Sequence, residues 1–186
     1  MDDERSAKFE AAYNRAYGQI TAYAVRRCDS PQDAADVVAE TFTVAWRRVD
    51  ELPEGPEATL WLYGVARKVL ANHFRSGNRR RERTAELDAE LADRYGHSPD
   101  TQVELDAIGR AFLSLSDDDR ELLSLVAWEG LERDEIAKAL GLSRNAVRIR
   151  LHRARRRLSR ALASAGVHVT AESRLVPAET PLGGAL

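Results

Sequence analysis

The chain has 186 residues, a formal net charge of −2 and one cysteine. This length allows one medium domain or two small ones, and the lone Cys28 excludes an internal disulfide and fits a reducing cytosol. No secretory signal, membrane-spanning apolar run, phosphate-binding glycine loop, nucleophile motif or metal-ligand spacing is found. The sequence therefore predicts a cytoplasmic protein with no enzymatic activity, cofactor, metal or membrane insertion.

The near-zero net charge hides a segregation of charge along the chain. Residues 67–83 hold seven bases and one acid, whereas residues 84–106 hold seven acids and one base. Residues 144–160 hold eight arginines and no acid. Two basic segments thus flank an acidic one, and the overall charge is a poor guide to binding partners.

Three helices are predicted in the first part of the chain, over 6–28, from Ser30 to about Val49, and over 58–75. Ser30 and Pro31 form a helix start, with a hydroxyl cap before a proline at the first helical position. Two prolines and a glycine make residues 52–56 a loop. Residues 1–5 are expected to fray. Helices of this size close one small all-α core, which assigns residues 6–83 to a first domain.

The acidic middle of the chain lacks sustained apolar periodicity. The Ser76-Gly77-Asn78 run is expected to break the third helix, and 84–101 is predicted to be a flexible acidic linker. A second small helical domain is predicted over 102–165, with helices over 103–113 and 117–128 and Ser116 as the cap of the latter. Residues 166–186 have little to pack and are predicted to be disordered.

A helix–turn–helix is predicted at the end of the second domain. Glu132 to Leu140 reads as a helix that Gly141 ends, and Ser143 is placed to cap the next. In that second helix an apolar stripe recurs at helical spacing: Val147, Leu151, Ala154 and Leu158. A second helix with this many arginines suits the major groove of DNA. The alternative interpretation is that the arginines form a solvated charged face on a hairpin that has only a structural role.

Three motif blocks together resemble the extracytoplasmic-function (ECF) sigma factors, the small two-domain specificity subunits of bacterial RNA polymerase. The blocks are DAADVVAETFTVAW (33–46), ATLWLYGVARKVLANHFR (58–75) and LSDDDRELLSLVAWEGLERDEIAKALGLSRNAVRIRLHRARRRL (115–158). The resemblance implies an all-α fold of two small domains. It also implies binding to promoter DNA and to core RNA polymerase, through its β′ clamp helices and β flap.

By this resemblance the helix 144–158 reads the −35 element in duplex form. Arginine pairs with guanine, asparagine with adenine, and isoleucine touches a thymine methyl. Arg153, Arg155, Arg156 and Arg157 are expected to bind phosphates. The candidate −35 residues are Arg144, Asn145, Arg148, Ile149, His152, Arg153 and Arg156.

The helix matching 58–75 reads the melted −10 element in the family. Strand separation needs rings that receive unstacked bases and cations that track phosphates. The candidates are Trp61, Tyr63, Arg67, Lys68 and Arg75, with a core role for Trp61 as the alternative. The family often has asparagine at position 68 and aspartate at position 72. Lys68 and Asn72 therefore leave the −10 base preference open.

In the family the helix matching 33–49 docks on the polymerase. The candidate docking residues are Asp33, Asp36, Glu40 and Trp46, and Phe42 could add a second apolar anchor. The alternative for Asp36 and Glu40 is a solvated surface position. The alternative for Phe42 and Trp46 is a place in the core.

The sequence thus predicts a non-enzymatic initiation factor that binds core polymerase, recognises a two-part promoter and promotes melting. The rival is a stand-alone helix–turn–helix regulator that binds duplex DNA without polymerase. The promoter sequence, the inducing signal and the binding of an anti-sigma factor stay open, as does the role of the tail.

Overall fold

A computed structural model describes residues 2–81 and 99–167, and every regular element in these two ranges is helical. Side chains are described for residues 3–74 and 106–167. The elements are α1 (Asp2–Val25), α2 (Pro31–Arg47), a short 3-10 helix (Val49–Glu51), α3 (Glu57–Arg81), α4 (Pro99–Leu113), α5 (Asp117–Ala127), α6 (Arg133–Leu140) and α7 (Arg144–Ser164). The predicted all-α class is confirmed. The linker predicted over 84–101 lies outside the described residues except for 99–101, which belong to α4, and the disordered tail predicted over 166–186 lies outside them from residue 168.

Contacts divide the chain into two compact units. The first holds α1, α2 and α3 together with the segment Asp134–Ser143, and the second holds α4, α5 and α7. In the first unit, α1, α2 and α3 each pack against the other two. Ile20, Tyr23 and Leu62 are fully buried between them, so this unit has a core of its own.

Helix α1 begins at Asp2, whereas residues 1–5 were expected to fray. The Arg5 guanidinium pairs with the Asp50 carboxylate at 2.8 Å, and this pair ties the start of α1 to the 3-10 helix. The local sequence gave no sign of that long-range contact.

The cap of α2 forms as predicted. The backbone N–H of Asp33 donates to Oγ of Ser30 at 3.0 Å, and the Ser30 hydroxyl donates to Oδ2 of Asp33 at 2.7 Å. The helix ends at Arg47, two residues before the predicted end, because the chain tightens into the 3-10 helix and fully buries Val49.

Helix α3 follows a loop in which Gly55 takes a φ of 62°, a conformation that glycine adopts without strain. The helix runs to Arg81, so the predicted break at Ser76-Gly77-Asn78 is wrong. Arginine favours helix, and the three arginines at 79–81 extend α3 past the glycine.

In the second unit, α7 packs against α4 and α5. Helix α4 begins at Pro99, four residues earlier than predicted, with the proline at its first helical position. The predicted cap of α5 is confirmed, since the N–H of Asp119 donates to Oγ of Ser116 at 3.3 Å. The predicted stripe of α7 is also confirmed: Val147, Leu151 and Ala154 are buried, and Leu158 is half-buried.

The turn between α6 and α7 closes α6 through backbone hydrogen bonds. Gly141 has a φ of 64°, and its N–H donates to the carbonyl of Lys138 at 3.3 Å. The N–H of Leu142 donates to the carbonyl of Ala137 at 2.9 Å. These two bonds form the helix-ending motif that a left-handed glycine permits, and α7 then begins at Arg144.

Candidate functional site

The outer face of α7 is the most cationic surface of the second unit. Because the stripe of Val147, Leu151 and Ala154 faces the unit's core, the opposite side of the helix faces solvent. All seven candidate −35 residues are exposed: Arg144, Asn145, Arg148, Ile149, His152, Arg153 and Arg156. The sequence therefore predicted correctly which side of this helix is available to a ligand.

Two of these residues contact each other in the first turn of α7. The guanidinium of Arg148 donates from Nη2 to Oδ1 of Asn145 at 2.9 Å, and from Nε to the same oxygen at 3.3 Å. Residues three apart on a helix are neighbours, and here both side chains are exposed. The exposed face of α7 therefore presents a hydrogen-bonded pair where the sequence predicted two separate base-reading residues.

Arg157 differs from the other arginines of α7. Its Nη1 donates to Oδ2 of Asp119 at 2.7 Å, and the Asp119 side chain is 7% exposed. The phosphate contact expected of Arg157 therefore competes with an ion pair that fastens α7 to the start of α5. Arg153, Arg155 and Arg156 are exposed.

The exposed residues of α2 include two acids on its side towards α3 and one aromatic ring on its side towards α1. Asp36 and Glu40 are exposed, and Trp46 is 44% exposed. The Trp46 ring lies edge-on to Phe9, with centroids 5.3 Å apart. Phe42 is buried, as the core alternative predicted. Trp46 thus packs on one edge and offers the rest of its ring to solvent.

Asp33 does not share that outward orientation. Its Oδ2 accepts from Ser30, and its Oδ1 lies 3.1 Å from Nε2 of His73 on α3. The side chain is 38% exposed. Asp33 therefore takes part in the cap that Ser30 forms and ties α2 to α3, and its predicted docking role stays a prediction.

An open groove of about 470 Å³ separates the acidic face of α2 from α3. The wall formed by α2 and its C-cap carries two carboxylates and a guanidinium, and the α3 wall carries an ammonium, an amide and an imidazole. The polar lining residues are Asp36, Glu40, Arg48, Lys68, Asn72 and His73.

Trp61 at the start of α3 has a structural position. It is half-buried against the core cluster of Ala12, Val49, Leu52 and Ala58, and the Arg48 guanidinium lies 5.4 Å from its ring centroid. Arg48 also pairs with Glu51, which raises the pKa of Arg48 and lowers the pKa of Glu51. Packing against the core, the alternative role predicted for Trp61, thus accounts for one side of its ring.

Tyr63 cannot receive a base. It is 3% exposed and packs against Tyr23, with ring centroids 5.3 Å apart. The assignment of Tyr63 to the −10 site is therefore wrong: α3 packs against both α1 and α2, so its buried arc is wider than one stripe.

The remaining −10 candidates on α3 divide by exposure. Lys68 is exposed and Arg67 is half-buried, while the Arg75 side chain lies outside the described residues. Sequence reasoning missed Phe74, whose ring is 41% exposed beside this basic segment. The sequence signal that could have identified Phe74 is an aromatic residue that lies off the apolar side of α3 and next to an arginine.

Among the described residues, no group of His, Cys, Asp and Glu side chains could hold a metal ion. The described helices include none with the length and apolarity needed to cross a bilayer.

Two family models match the chain in succession. The model for sigma-70 region 2 matches residues 12–81, and the model for sigma-70 region 4 matches residues 105–158. The first covers α2, α3 and most of α1, and the second covers α5, α6 and most of α4 and α7.

Several characterised relatives are similar over most of the chain. The ECF RNA polymerase sigma factor BldN of Streptomyces coelicolor is 32% identical over 86% of this chain, which spans 64% of BldN. SigF, another such sigma factor, from Caulobacter vibrioides, is 31% identical, with 76% of this chain and 78% of SigF covered. The sigma factor CnrH of Cupriavidus metallidurans is 30% identical, with 83% of this chain and 90% of CnrH covered.

Solved structures share the fold. CnrH in complex with the cytosolic domain of CnrY matches with a TM-score of 0.56 and 26% identity, over 84% of this chain and 88% of that one. RpoE of Bartonella quintana, in complex with the anti-sigma factor NepR, matches with a TM-score of 0.56 and 22% identity, over 88% of this chain and 98% of RpoE.

Proposed function

The chain belongs to the ECF RNA polymerase sigma factors, and we propose that it directs core polymerase to promoters with a −35 and a −10 element and promotes melting there. The observation that carries this proposal is the order of two surfaces along the chain. An exposed acidic face on α2 lies in the region 2 match, and an exposed arginine face on α7 lies in the region 4 match.

For the −35 element, we assign duplex recognition to α7. Its exposed residues combine donors that can read base edges with arginines that can neutralise phosphates. Arg148 and Asn145 lie in the first turns, where a recognition helix contacts bases. Arg153 and Arg156 lie further along the same exposed side and suit the DNA backbone.

For the −10 element, we assign single-strand recognition to α3. Lys68 supplies an exposed cation, and Arg67 and Arg75 add charge on the same helix. Phe74 supplies an accessible ring for an unstacked base, and the outer side of Trp61 supplies a second one. This set replaces the buried Tyr63.

For the polymerase, we assign docking on the β′ clamp helices to the exposed face of α2. Asp36 and Glu40 offer charge, and the half-exposed Trp46 offers an apolar anchor near the end of the same helix. An aromatic anchor beside complementary charge is the usual composition of a strong binding patch. The region 4 match suggests the β flap as a second polymerase contact.

The proposed location and partners follow from this role. A factor that works on RNA polymerase and promoter DNA acts in the cytoplasm. The structural relatives CnrH and RpoE are each bound by another protein, CnrY and the anti-sigma factor NepR respectively. We propose that an anti-sigma protein likewise holds this chain.

Reconstituted transcription tests the proposal. The chain, bacterial core RNA polymerase and a library of promoter fragments are combined, and the 5′ ends of the transcripts are sequenced. We expect new start sites that share two sequence elements upstream, absent with core polymerase alone. A folded chain that adds no start sites contradicts the proposal.

A gel shift with the free chain separates the proposal from the rival regulator. A sigma factor of this size should bind promoter duplex weakly and become specific with core polymerase, because each recognition domain alone makes a small interface. A stand-alone regulator should bind palindromic duplex with nanomolar affinity and without polymerase. The family membership favours the first outcome.

A further inference from the structure

The contact between Asn145 and Arg148 fixes the orientation of the asparagine amide. Arginine carries five N–H donors and no acceptor, so the amide atom that faces it must be the oxygen. Nη2 of Arg148 lies 2.9 Å and Nε 3.3 Å from Oδ1 of Asn145. The side-chain oxygen is therefore directed at Arg148, and the NH₂ group of Asn145 is directed away from it.

This orientation changes what Asn145 can read. An asparagine that recognises adenine does so with two bonds: its oxygen accepts from N6 and its nitrogen donates to N7. A carbonyl oxygen has two lone pairs, and in Asn145 two N–H groups of Arg148 approach that oxygen. Asn145 thus keeps donors for the DNA and has no acceptor left for the N6 amino group of adenine.

Arg148 keeps enough donors to read a base. Two of its five N–H groups point at Asn145, which leaves both N–H groups of Nη1 and one of Nη2. That end of the guanidinium can still donate to O6 and N7 of guanine. Because Asn145 holds the Nε edge, the free end is fixed in direction and loses less conformational freedom on binding.

We propose that Asn145 and Arg148 read the −35 element as one unit that presents only donors, an inference that rests on the assignment of α7 to −35 recognition. Arg148 selects guanine, and Asn145 positions it. At its own position Asn145 donates to a major-groove acceptor: O6 or N7 of guanine, O4 of thymine or, through a single bond, N7 of adenine. Cytosine is rejected there, since its N4 amino group would face a donor.

Selection with the whole holoenzyme tests the unit. Core polymerase carrying the wild-type chain or a variant selects from promoters with a fixed −10 element and a randomised −35 element, and base preferences are read as enrichment ratios. The variants are Arg148→Ala, Asn145→Ala and Asn145→Asp. Arg150→Ala is the matched control, because it removes an exposed arginine that projects from a different side of α7.

Each variant has a distinct expected profile. Arg148→Ala should reduce one guanine preference by about 5- to 150-fold, the range for a good bidentate base contact. Asn145→Ala should weaken that same guanine preference by a smaller factor, since the guanidinium is no longer held. Asn145→Asp keeps the acceptor for Arg148 and removes the donors. It should retain this guanine preference and convert the neighbouring preference to cytosine, whose amino group a carboxylate accepts.

Three results would overturn the inference in different ways. If Asn145→Ala removes a preference for adenine over guanine and thymine and leaves the guanine preference of Arg148 intact, the two residues read independently, and −35 recognition by α7 stands without the unit. If Arg148→Ala matches the wild type at every position, Arg148 reads no base and the unit fails. If the wild-type holoenzyme selects no −35 sequence, the assignment of α7 itself fails. Arg150→Ala should lower binding to all sequences alike and leave the ratios unchanged.

Discussion

The carboxylate of Asp119, in the first turn of α5, accepts a hydrogen bond from Nη1 of Arg157 on α7 at 2.7 Å. The acid is 7% exposed, whereas the arginine is 55% exposed. A buried carboxylate needs such a partner, because desolvation disfavours its charge. The pair therefore fixes where the C-terminal half of α7 lies on α5, and through this the direction in which the arginine face points.

Replacing Asp119 with asparagine should destabilise the second unit. The substitution keeps the size of the side chain but removes the charge-assisted bond to Arg157, which we expect to cost about 1.5–3 kcal/mol of unfolding free energy. Urea denaturation followed by circular dichroism measures the change. Asp118→Asn, at an exposed position in the same turn, is the control and should cost less than about 1 kcal/mol. Equal losses for the two variants would mean that the helix dipole, and not the pair, accounts for the effect.

The sequence was most informative where the determinants are local. The Ser30 and Ser116 caps and the left-handed Gly141 each depend on a few neighbouring residues, and all three are found. The apolar stripe of α7 was equally predictable, because a helix with one buried side and one cationic side shows apolar residues at a simple helical spacing in its sequence. These features placed the exposed arginine face correctly.

The errors arose where distant segments meet. Tyr63 was assigned to DNA because it carries a ring, yet contact between α3 and α1 buries it. The contact between Asp33 and His73, 40 positions away, was likewise not foreseen. The residue pattern of one helix does not show which of its side chains will contact other helices, because those contacts depend on the tertiary fold.

Arg156→Ala should weaken DNA binding without changing its specificity. Arg156 is exposed two turns beyond Arg148, where we expect a phosphate contact and no base contact. Holoenzyme binding to matched and mismatched −35 fragments is measured over a series of salt concentrations. Affinity should fall for both fragments alike, and the slope of log K against log salt should shrink by about one unit. A loss confined to the matched fragment would instead make Arg156 a base reader.

Lys68→Ala should impair opening of the promoter more than its initial binding. Lys68 is exposed on α3 and outside the core, so the variant should fold normally, and its proposed phosphate contact exists only once the strands separate. Permanganate reactivity of −10 thymines reports opening, and a promoter with a pre-melted bubble should restore part of the activity. Lys8→Ala on α1 controls for the loss of a lysine. A wild-type thymine pattern from Lys68→Ala would contradict the assignment.

The Cys28 thiol should be unreactive at neutral pH. Burial, with smaller contributions from Asp33 and Asp29, raises its pKa from about 9 to about 11. Since the folded pKa exceeds the unfolded one, this group's contribution to stability is complete below about pH 9 and is lost as the pH rises towards 11. The rate of alkylation by iodoacetamide against pH should have its midpoint near 11 in the folded chain and near 9 in urea. As the sequence has one cysteine, the reaction reports a single site. A folded midpoint at or below 9 would exclude the effect of burial.

Reversing the charge of the α2 face should abolish docking while leaving the fold intact. Asp36 and Glu40 are both exposed, so Asp36→Arg combined with Glu40→Arg disturbs no buried contact. Like charge placed against a surface that evolved to meet acids costs several kcal/mol and slows association. Circular dichroism should be unchanged, and pull-down with core polymerase should fall by at least about tenfold.

The matched control for this reversal is Asp3→Arg combined with Glu4→Arg. These acids are exposed in the first turn of α1, and the substitution changes the net charge by the same amount. It should leave the pull-down near the wild-type level, which separates a local docking effect from a general effect of charge. Trp46→Ala should then weaken docking with no charge change at all, since its half-exposed ring is the proposed apolar anchor. Normal capture of both α2 variants would place the polymerase contact on another face of the first unit.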